Sequence, residues 1–271
     1  MLYSIINKNN VPELVMRVVI KIGTSTLTHR SGCVNIRRIE SLCKIVSDIK
    51  NRGDEVILVS SGAIGMGVGK LRLKEKPKDI ALKQACAAVG QCELMYIYDK
   101  LFTEYNHTVA QILLTQDDLG CEDRHGKFTN TMTRLLSLGV LPIINENDTV
   151  ATEEIAFGDN DTLAARIAVS TGADLLILLS DIDGLYTADP HKDSGAALIP
   201  EVLKITEEIL SLAGAAGSEL GTGGMETKLR AAKIATEAGC DMIITNGEYP
   251  DRLYDCVEGK TVGTRFYAKK G

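Results

Sequence analysis

Five short segments, rich in glycine or in small polar residues, hold the side chains of this chain that suit phosphate chemistry. Each lies next to an apolar stretch, where a buried strand is expected to end. Glycine lets backbone N–H groups approach a phosphate closely, and a following helix turns its positive end toward the same place. The segments therefore predict a phosphate-handling active site. They span residues 21–25, 60–65, 145–148, 158–161 and 221–228.

Two lysines bracket this set of segments. Lys21 ends a β-branched run, and Lys228 lies on the first turn of a predicted helix. A lysine in an apolar run needs an anionic partner, unless it extends from the strand end into water. A helix start favours acidic groups over cations, so an anion beside Lys228 would remove that conflict. The glycine and hydroxyl residues after Lys21 favour the phosphate interpretation.

The polar residues of the central segments admit two interpretations each. Ser61 either offers a hydroxyl to a carboxylate or phosphate, or caps the helix that follows it. Asp148 and the segment 158–161 either form turns and a helix cap, or supply an aspartate that holds Lys21 and Lys228 in position. We expect one of these carboxylates to serve the lysines.

Several familiar sites are missing from the sequence. Gly259 and Lys260 end a stretch that resembles a Walker A motif, but Tyr254 occupies the position of its first glycine. Lys70 replaces the last glycine of a dinucleotide-binding fingerprint. The four histidines share no metal-binding or catalytic-triad spacing.

Composition indicates an ordinary globular protein. Hydrophobic residues make up 45% of the 271, and the formal net charge of −6 argues against a nucleic-acid or anionic-membrane partner. The seven cysteines include no Cys-x-x-Cys pair, which favours reduced thiols in the cytoplasm. The sequence shows no signal peptide and no apolar run of about 20 residues that would span a membrane.

Predicted strands and helices alternate along the chain, which is typical of a mostly parallel sheet with helices on both faces. The carboxyl ends of parallel strands meet at one edge, where such sheets bind ligands. Residues 1–14 are expected to be an irregular leader, and 186–222 a flexible flap. The predicted strands are 15–22, 56–60, 108–114, 140–144, 175–179, 242–245 and, at an edge, 263–267. The predicted helices are 35–50, 79–105, 127–138, 161–170 and 225–238.

In their order along the chain, these motifs resemble the amino-acid kinase family. Segments 145–148 and 221–225 are the most specific, and they are similar to the branch that phosphorylates free glutamate. The resemblance implies an α/β fold, a three-layer αβα sandwich around a mostly parallel central sheet. It covers one kinase domain over 15–271, without the additional RNA-modifying-enzyme-like C-terminal domain found in many relatives. The matching stretches are 19–25, 60–64, 144–148, 158–161, 185–190 and 221–228.

The resemblance also implies a reaction, namely ATP-dependent phosphorylation of the γ-carboxylate of L-glutamate, the first step of proline biosynthesis. Mg²⁺ would be carried by the ATP phosphates, with no metal ligand from the chain. Lys21, Lys228 and Asp161 would be catalytic, with Asp161 positioning the lysines. Ser61, Asp148 and Asn160 would hold glutamate. The implied nucleotide-binding residues are Lys21, Ser180, Asp181, Thr222, Gly223, Gly224, Met225, Glu226, Thr227 and Lys228.

Two other functions stay open at this stage. One is a different kinase of the same fold, acting on acetylglutamate or carbamate. The other is a silent sensor that binds glutamate or proline, against which the retention of both lysines and Asp161 argues. The resemblance further implies feedback inhibition by L-proline and a homodimer or homotetramer.

Overall fold

A computed structural model describes residues 15–29, 33–75, 77–150, 159–190, 192–215 and 224–269 of the chain. The predicted leader lies outside this part. The strands are β1 (Arg17–Ile22), β2 (Glu55–Ser60), β3 (Val109–Leu114), β4 (Leu141–Glu146), β5 (Leu175–Ser180), β6 (Glu201–Val202), β7 (Asp241–Asn246) and β8 (Thr264–Phe266). The helices are α1 (Thr24–Leu27), α2 (Ile36–Asn51), α3 (Ala63–Lys70), α4 (Ile80–Thr103), α5 (Gln116–Gly120), α6 (Glu122–Ser137), α7 (Asn160–Thr171), α8 (Glu207–Ala215), α9 (Met225–Glu237) and α10 (Arg252–Val257).

The strands form one sheet in the order β3-β4-β2-β1-β5-β7-β8-β6. The first six positions of this order are parallel, so β4, β2, β1, β5 and β7 all end at the same edge. Strand β8 runs antiparallel to β7 and pairs on its other side with β6. The strand predicted at 263–267 is therefore present as β8, but its predicted position at the edge is wrong. The edge is formed by β6, whose two residues are too few to leave a sequence pattern.

Both faces of the sheet are buried, which confirms the three-layer sandwich. Val18 and Ile20 of β1 belong to a core with α2 and α4, while Val19 packs on the other face with α7 and α9. Side chains alternate along a strand, so Lys21 lies on the same face as Val19. This parity places the Lys21 amine in the layer that holds α7 and α9.

Helices α3 and α4 pack with their backbones in contact. A Cβ built on Gly90 would lie 1.7 Å from the Ala63 carbonyl oxygen, and one on Gly67 would lie 1.9 Å from that of Cys86. Only glycine permits such an approach. The contact fixes the start of α3, and with it the turn through Ser61.

Three further differences from the sequence prediction have local causes. Strand β4 continues through Asn145 and Glu146, which pair with β3, although their polarity suggested a loop. Helix α6 begins before 127, because acidic residues in its first turn stabilise that end. The predicted flap contains β6 and α8 in its described part. No helix of the described residues is long and apolar enough to cross a lipid bilayer.

Candidate active site

One carboxylate joins the two lysines that the sequence analysis singled out. Lys21 Nζ lies 2.6 Å from Asp161 Oδ1, and Lys228 Nζ lies 3.2 Å from Asp161 Oδ2. All three side chains are buried, with Asp161 only 1% exposed. The structure therefore gathers these side chains at one point, which satisfies the expectation that an aspartate of 158–161 serves both lysines.

We call Lys21, Asp161 and Lys228 the lysine–aspartate cluster. Each of these residues lies on a different element. Lys21 precedes the last residue of β1. Asp161 lies in the first turn of α7. The N-cap of this helix is Asp159, whose side chain accepts a hydrogen bond from the Thr162 N–H. Lys228 lies in the first turns of α9. The sheet thus brings one strand end and two helix starts together.

The charges within the cluster stabilise one another. Burial raises the pKa of the Asp161 carboxyl, but the charges of Lys21 and Lys228 outweigh burial and leave that pKa below its ordinary value of 3.8. Thr227 adds a hydroxyl hydrogen bond of 3.1 Å to Asp161 Oδ2. Two ammonium groups gathered at one point suit the binding of an anion.

A chain of buried amides lies beside this cluster. Asn160 Nδ2 donates to Ser61 Oγ at 2.8 Å and to Asn145 Oδ1 at 3.0 Å. Asn145 Nδ2 donates in turn to Gln91 Oε1 of α4 at 2.8 Å. The structure therefore brings the predicted substrate residues Ser61 and Asn160 into direct contact. Gln91 was not predicted as a member of the site, because an amide in a helix carries no motif. Asn145 lies in the predicted segment 145–148, but the sequence analysis assigned no role to it.

Ser61 is not the cap of α3. The N-cap position belongs to Gly62, whose φ of 99° is in the left-handed region, and no side chain caps the helix. The capping interpretation of Ser61 is therefore wrong. Its hydroxyl instead faces Asn160.

Asp148, the third predicted substrate residue, follows β4 and is partly buried. Burial raises the pKa of its carboxyl from 3.8 to about 6. No cation neutralises this carboxylate among the causes of the shift, so a bound ammonium group would stabilise its charged form. This environment fits a ligand that carries a positive charge.

A polar cleft of about 140 Å³ opens beside the ends of β1, β5 and β7. It contains Ser180 and Asp181, whose side chains hydrogen-bond to each other at 3.1 Å. Arg38 closes one side, donating to the Ser25 carbonyl at 2.9 Å and pairing with Glu248 at 3.2 Å. The residues of this cleft that the sequence analysis did not single out as nucleotide contacts are Ser25, Thr26, Arg38, Asn246 and Glu248.

The remaining predicted nucleotide residues lie at the start of α9. Gly224 is the N-cap, and Met225 is buried. The Glu226 side chain is exposed and pairs with Arg230 at 3.2 Å. Thr222 and Gly223 lie outside the described residues. Within the described part of the chain, no three histidine, cysteine or acidic side chains are grouped so as to hold a metal ion.

Comparison with known proteins shows the family of the chain. The model of the Amino acid kinase family matches residues 16–246. The chain belongs to this family. Two solved structures share its fold. A carbamate kinase from Giardia lamblia bound to AMP-PNP superposes with a TM-score of 0.68 at 17% identity, covering 94% of this chain and 99% of that one. A UMP kinase from Ureaplasma parvum gives 0.63 at 16% identity, covering 93% and 99%.

Among amino acid kinases, the chain is most informatively compared with two proteins named glutamate 5-kinase. The one from Clostridium perfringens is 55% identical over 259 residues, covering 94% of this chain and 96% of that protein. The one from Carboxydothermus hydrogenoformans is 56% identical over 257 residues, covering 94% and 69%. The Carboxydothermus relative therefore extends well beyond the region that it shares with this chain.

Proposed function

We propose that the protein acts as a glutamate 5-kinase, transferring the γ-phosphoryl group of ATP to the γ-carboxylate of L-glutamate in proline biosynthesis. The observation that carries this proposal is the buried cluster of Lys21, Asp161 and Lys228, in which one carboxylate holds two ammonium groups. The identity of more than half with glutamate 5-kinases supports the same reaction.

The acceptor needs no general base. A glutamate side chain has an ordinary pKa of about 4.3, so the nucleophilic carboxylate is already ionised at neutral pH. The obstacle is the repulsion between this carboxylate and the phosphates of ATP. Catalysis of phosphoryl transfer rests on positioning and on neutralising charge, which the ammonium groups of Lys21 and Lys228 supply on the two sides of Asp161.

Asp161 is proposed to act as a positioning residue. Each of its oxygens faces one lysine, so the carboxylate holds both amines in place before substrate binds. Preorganised charges cost no rearrangement at the moment of reaction. Mg²⁺ would enter with the phosphates of ATP and shield their charge. Asp161 is not proposed as a ligand of this metal, because both of its oxygens already face ammonium groups.

Glutamate is proposed to bind between Ser61, Asp148 and Asn160. Asp148 would pair with the α-ammonium group, which removes the cost of ionising a carboxyl whose pKa lies near 6. The Ser180–Asp181 cleft and the start of α9 are proposed to hold the nucleotide. A free α-amino group would thus be required of the substrate, which separates this reaction from that of an acetylglutamate kinase.

A hydroxylamine trap tests the proposal. The protein is incubated with ATP, Mg²⁺ and hydroxylamine, and the hydroxamate of any acyl phosphate is measured. L-Glutamate should give hydroxamate in step with ADP, and N-acetyl-L-glutamate should give almost none. ADP formation without hydroxamate, or a preference for the acetylated acid, would rule out the proposed reaction.

We propose three further properties of the protein. L-Proline would inhibit by occupying the ammonium-binding part of the glutamate pocket, where Asp148 accepts a cation. The chain would form a homodimer or homotetramer. A cytoplasmic location is supported by its seven cysteines, none of which forms a disulfide. Inhibition kinetics with proline and sedimentation of the purified protein test the first two.

A further inference from the structure

Thr227 lies directly before Lys228 on α9 and reaches the same carboxylate oxygen. Its hydroxyl lies 3.1 Å from Asp161 Oδ2, and Lys228 Nζ lies 3.2 Å from that oxygen. The other oxygen, Oδ1, faces Lys21 Nζ at 2.6 Å. Asp161 is thus held on Oδ2 by two donors from one helix, and on Oδ1 by a donor from the sheet.

The packing of α7 against α9 explains how the start of α9 reaches Asp161. Ala168 of α7 and Ala231 and Ala235 of α9 are fully buried in the same core, and such small side chains let two helices approach closely. Thr227, Ala231 and Ala235 recur at intervals of four residues, so they share one face of α9. The face of α9 that enters the core therefore continues to Thr227 at the helix start.

The Thr227 hydroxyl has one proton and two acceptors within reach. Besides Asp161 Oδ2, it lies 2.9 Å from the carbonyl oxygen of Gly224, three residues earlier in the chain. A threonine hydroxyl can bond a preceding carbonyl in any helix, and that bond alone would make Thr227 a part of the helix start. A carboxylate attracts a hydroxyl proton more strongly than a neutral carbonyl does. The contact with Asp161 therefore gives the hydroxyl a role outside its own helix.

We propose that Thr227 is a positioning residue for phosphoryl transfer, whose hydroxyl fixes Asp161 Oδ2 and thereby sets the position of the Lys228 amine. Without this hydroxyl, the carboxylate would draw the Lys228 amine closer to itself, away from the phosphoryl group. A charge that must move during the reaction stabilises the transition state less than a preorganised one does. The inference deepens the proposed function and rests on it. It gives the Thr227 side chain a different task from the nucleotide contact that the family resemblance implies.

Three substitutions of Thr227 separate these roles. Thr227→Val keeps the shape of the side chain without the hydroxyl, and Thr227→Ala removes the hydroxyl with a residue that favours helix. Thr227→Ser keeps the hydroxyl. Hydroxamate formation gives kcat and the KM values for ATP and L-glutamate of each protein, and thermal unfolding gives its melting temperature.

Thr227→Val and Thr227→Ala should lower kcat about tenfold, because the Lys228 amine is displaced. The KM values for ATP and L-glutamate should stay within about twofold, since no contact with a substrate is removed. Thr227→Ser should bring kcat back to within about threefold of the parent, because the hydroxyl returns. Loss of a nucleotide contact would instead raise the KM for ATP.

Thr236→Val is the matched control. Thr236 is buried at the other end of α9, and its hydroxyl donates to the Ala232 carbonyl oxygen at 2.8 Å. The variant therefore loses a bond of the same kind as the one between the Thr227 hydroxyl and the Gly224 carbonyl. It should lower the melting temperature while kcat stays within about twofold of the parent.

A double-mutant cycle identifies the amine through which Thr227 acts. In Lys228→Ala the amine that Thr227 positions is gone, so adding Thr227→Val should lower kcat by less than about twofold. If the two losses multiply in full, Thr227 acts independently of Lys228, and the proposal is overturned.

Three other results would also overturn the positioning role: a parental kcat in folded Thr227→Val, a raised KM for ATP as its only effect, or a Thr227→Ser protein as slow as Thr227→Val. The unaltered chain is assayed in parallel. If it makes no acyl phosphate from L-glutamate, the proposed function itself fails; if it does, a negative result in the variants concerns Thr227 alone.

Discussion

Lys21 and Asp161 form a buried ion pair in which the lysine Nζ lies 2.6 Å from the carboxylate Oδ1. Lys21 lies one residue before the end of β1, and Asp161 lies in the first turn of α7, which packs on the same face of the sheet. The pair is matched by Lys228 on the second oxygen. The Asp161 carboxylate holds the two ammonium groups in place, so they are preorganised to stabilise negative charge.

Replacing Lys228 tests its role in phosphoryl transfer. We expect Lys228→Ala to lower kcat about 10²- to 10³-fold, because one of the two groups that neutralise the transferred phosphoryl is lost. The fold should persist, since Asp161 keeps Lys21 as a partner. The rate of hydroxamate formation and the far-ultraviolet circular dichroism spectrum measure the two effects.

Lys233→Ala is the control, because Lys233 is an exposed residue of the same helix. Its kcat should equal that of the parent within about twofold. A Lys228→Ala protein that is folded and turns over at the parental rate would remove Lys228 from the mechanism.

The Asp161 carboxylate should matter for stability as well as for rate. Asp161→Asn leaves two buried ammonium groups without their shared anion, which we expect to cost about 3 kcal/mol of unfolding free energy. Asp123→Asn breaks an ion pair with Lys127 of the same 2.6 Å length, but both side chains are more than 70% exposed, at 72% and 73%. This control should change stability by less than about 0.5 kcal/mol. Urea denaturation compares them; similar losses would contradict the account.

The raised pKa of Asp148 predicts that the stability of the fold depends on pH. Burial raises its pKa from 3.8 to about 6, so the folded chain binds this proton more tightly than the unfolded chain does. Its contribution to stability is therefore present below pH 3.8 and is lost as the pH rises through about 6. Without ligand, Asp148→Asn should melt higher than the parent at pH 8, and the difference should vanish at pH 4.

Glutamate binding should show the opposite preference, because pairing with an ammonium group requires the ionised carboxylate. The kcat/KM for L-glutamate is expected to fall about tenfold per unit as the pH drops below 6. In Asp148→Asn this limb should disappear and the KM at pH 8 should rise. An unchanged KM for L-glutamate in that variant would contradict the assigned contact.

The contact between α3 and α4 predicts a strong effect of one methyl group. Gly90→Ala would place a Cβ 1.7 Å from the Ala63 carbonyl oxygen, so α3 must move together with the Ser61 turn that it follows. We expect a loss of about 2 kcal/mol and a higher KM for L-glutamate. Gly126→Ala, at an exposed helical position with nothing within 4 Å, should be neutral or stabilising. Thermal unfolding and kinetics distinguish the two, and a neutral Gly90→Ala would contradict the rigid contact.

Much of the sheet was predictable because buried parallel strands are continuous apolar runs. The helix after Asn35 was predicted from this residue as a cap and from the apolar spacing that follows, and the structure shows Asn35 as its N-cap. The helix after Asp79 was predicted from its periodicity alone, and its cap became visible only in the structure. The place of β8 inside the sheet was not predictable, since its neighbour β6 has only two residues. Long-range pairing, not local pattern, decides that order.

In the site, too, residues with a local sequence signal were predictable, and residues that depend on long-range contacts were not. Lys21 and Lys228 were conspicuous as cations where the local pattern disfavours them, and the family motifs indicated Asp161. Gln91 carried no such signal, because a buried glutamine in a helix acquires meaning only through its contact with Asn145. Arg38 and Glu248 likewise meet across the cleft only in the folded chain.

The most direct test of the central claim follows an oxygen atom. L-Glutamate labelled with ¹⁸O in its γ-carboxylate is incubated with ATP, Mg²⁺ and hydroxylamine, and the released phosphate is analysed by mass spectrometry. If the carboxylate attacks phosphorus beside Lys21 and Lys228, that phosphate carries one ¹⁸O, and Lys228→Ala forms it far more slowly. Phosphate without label would mean that water takes the phosphoryl group, and the account would be wrong.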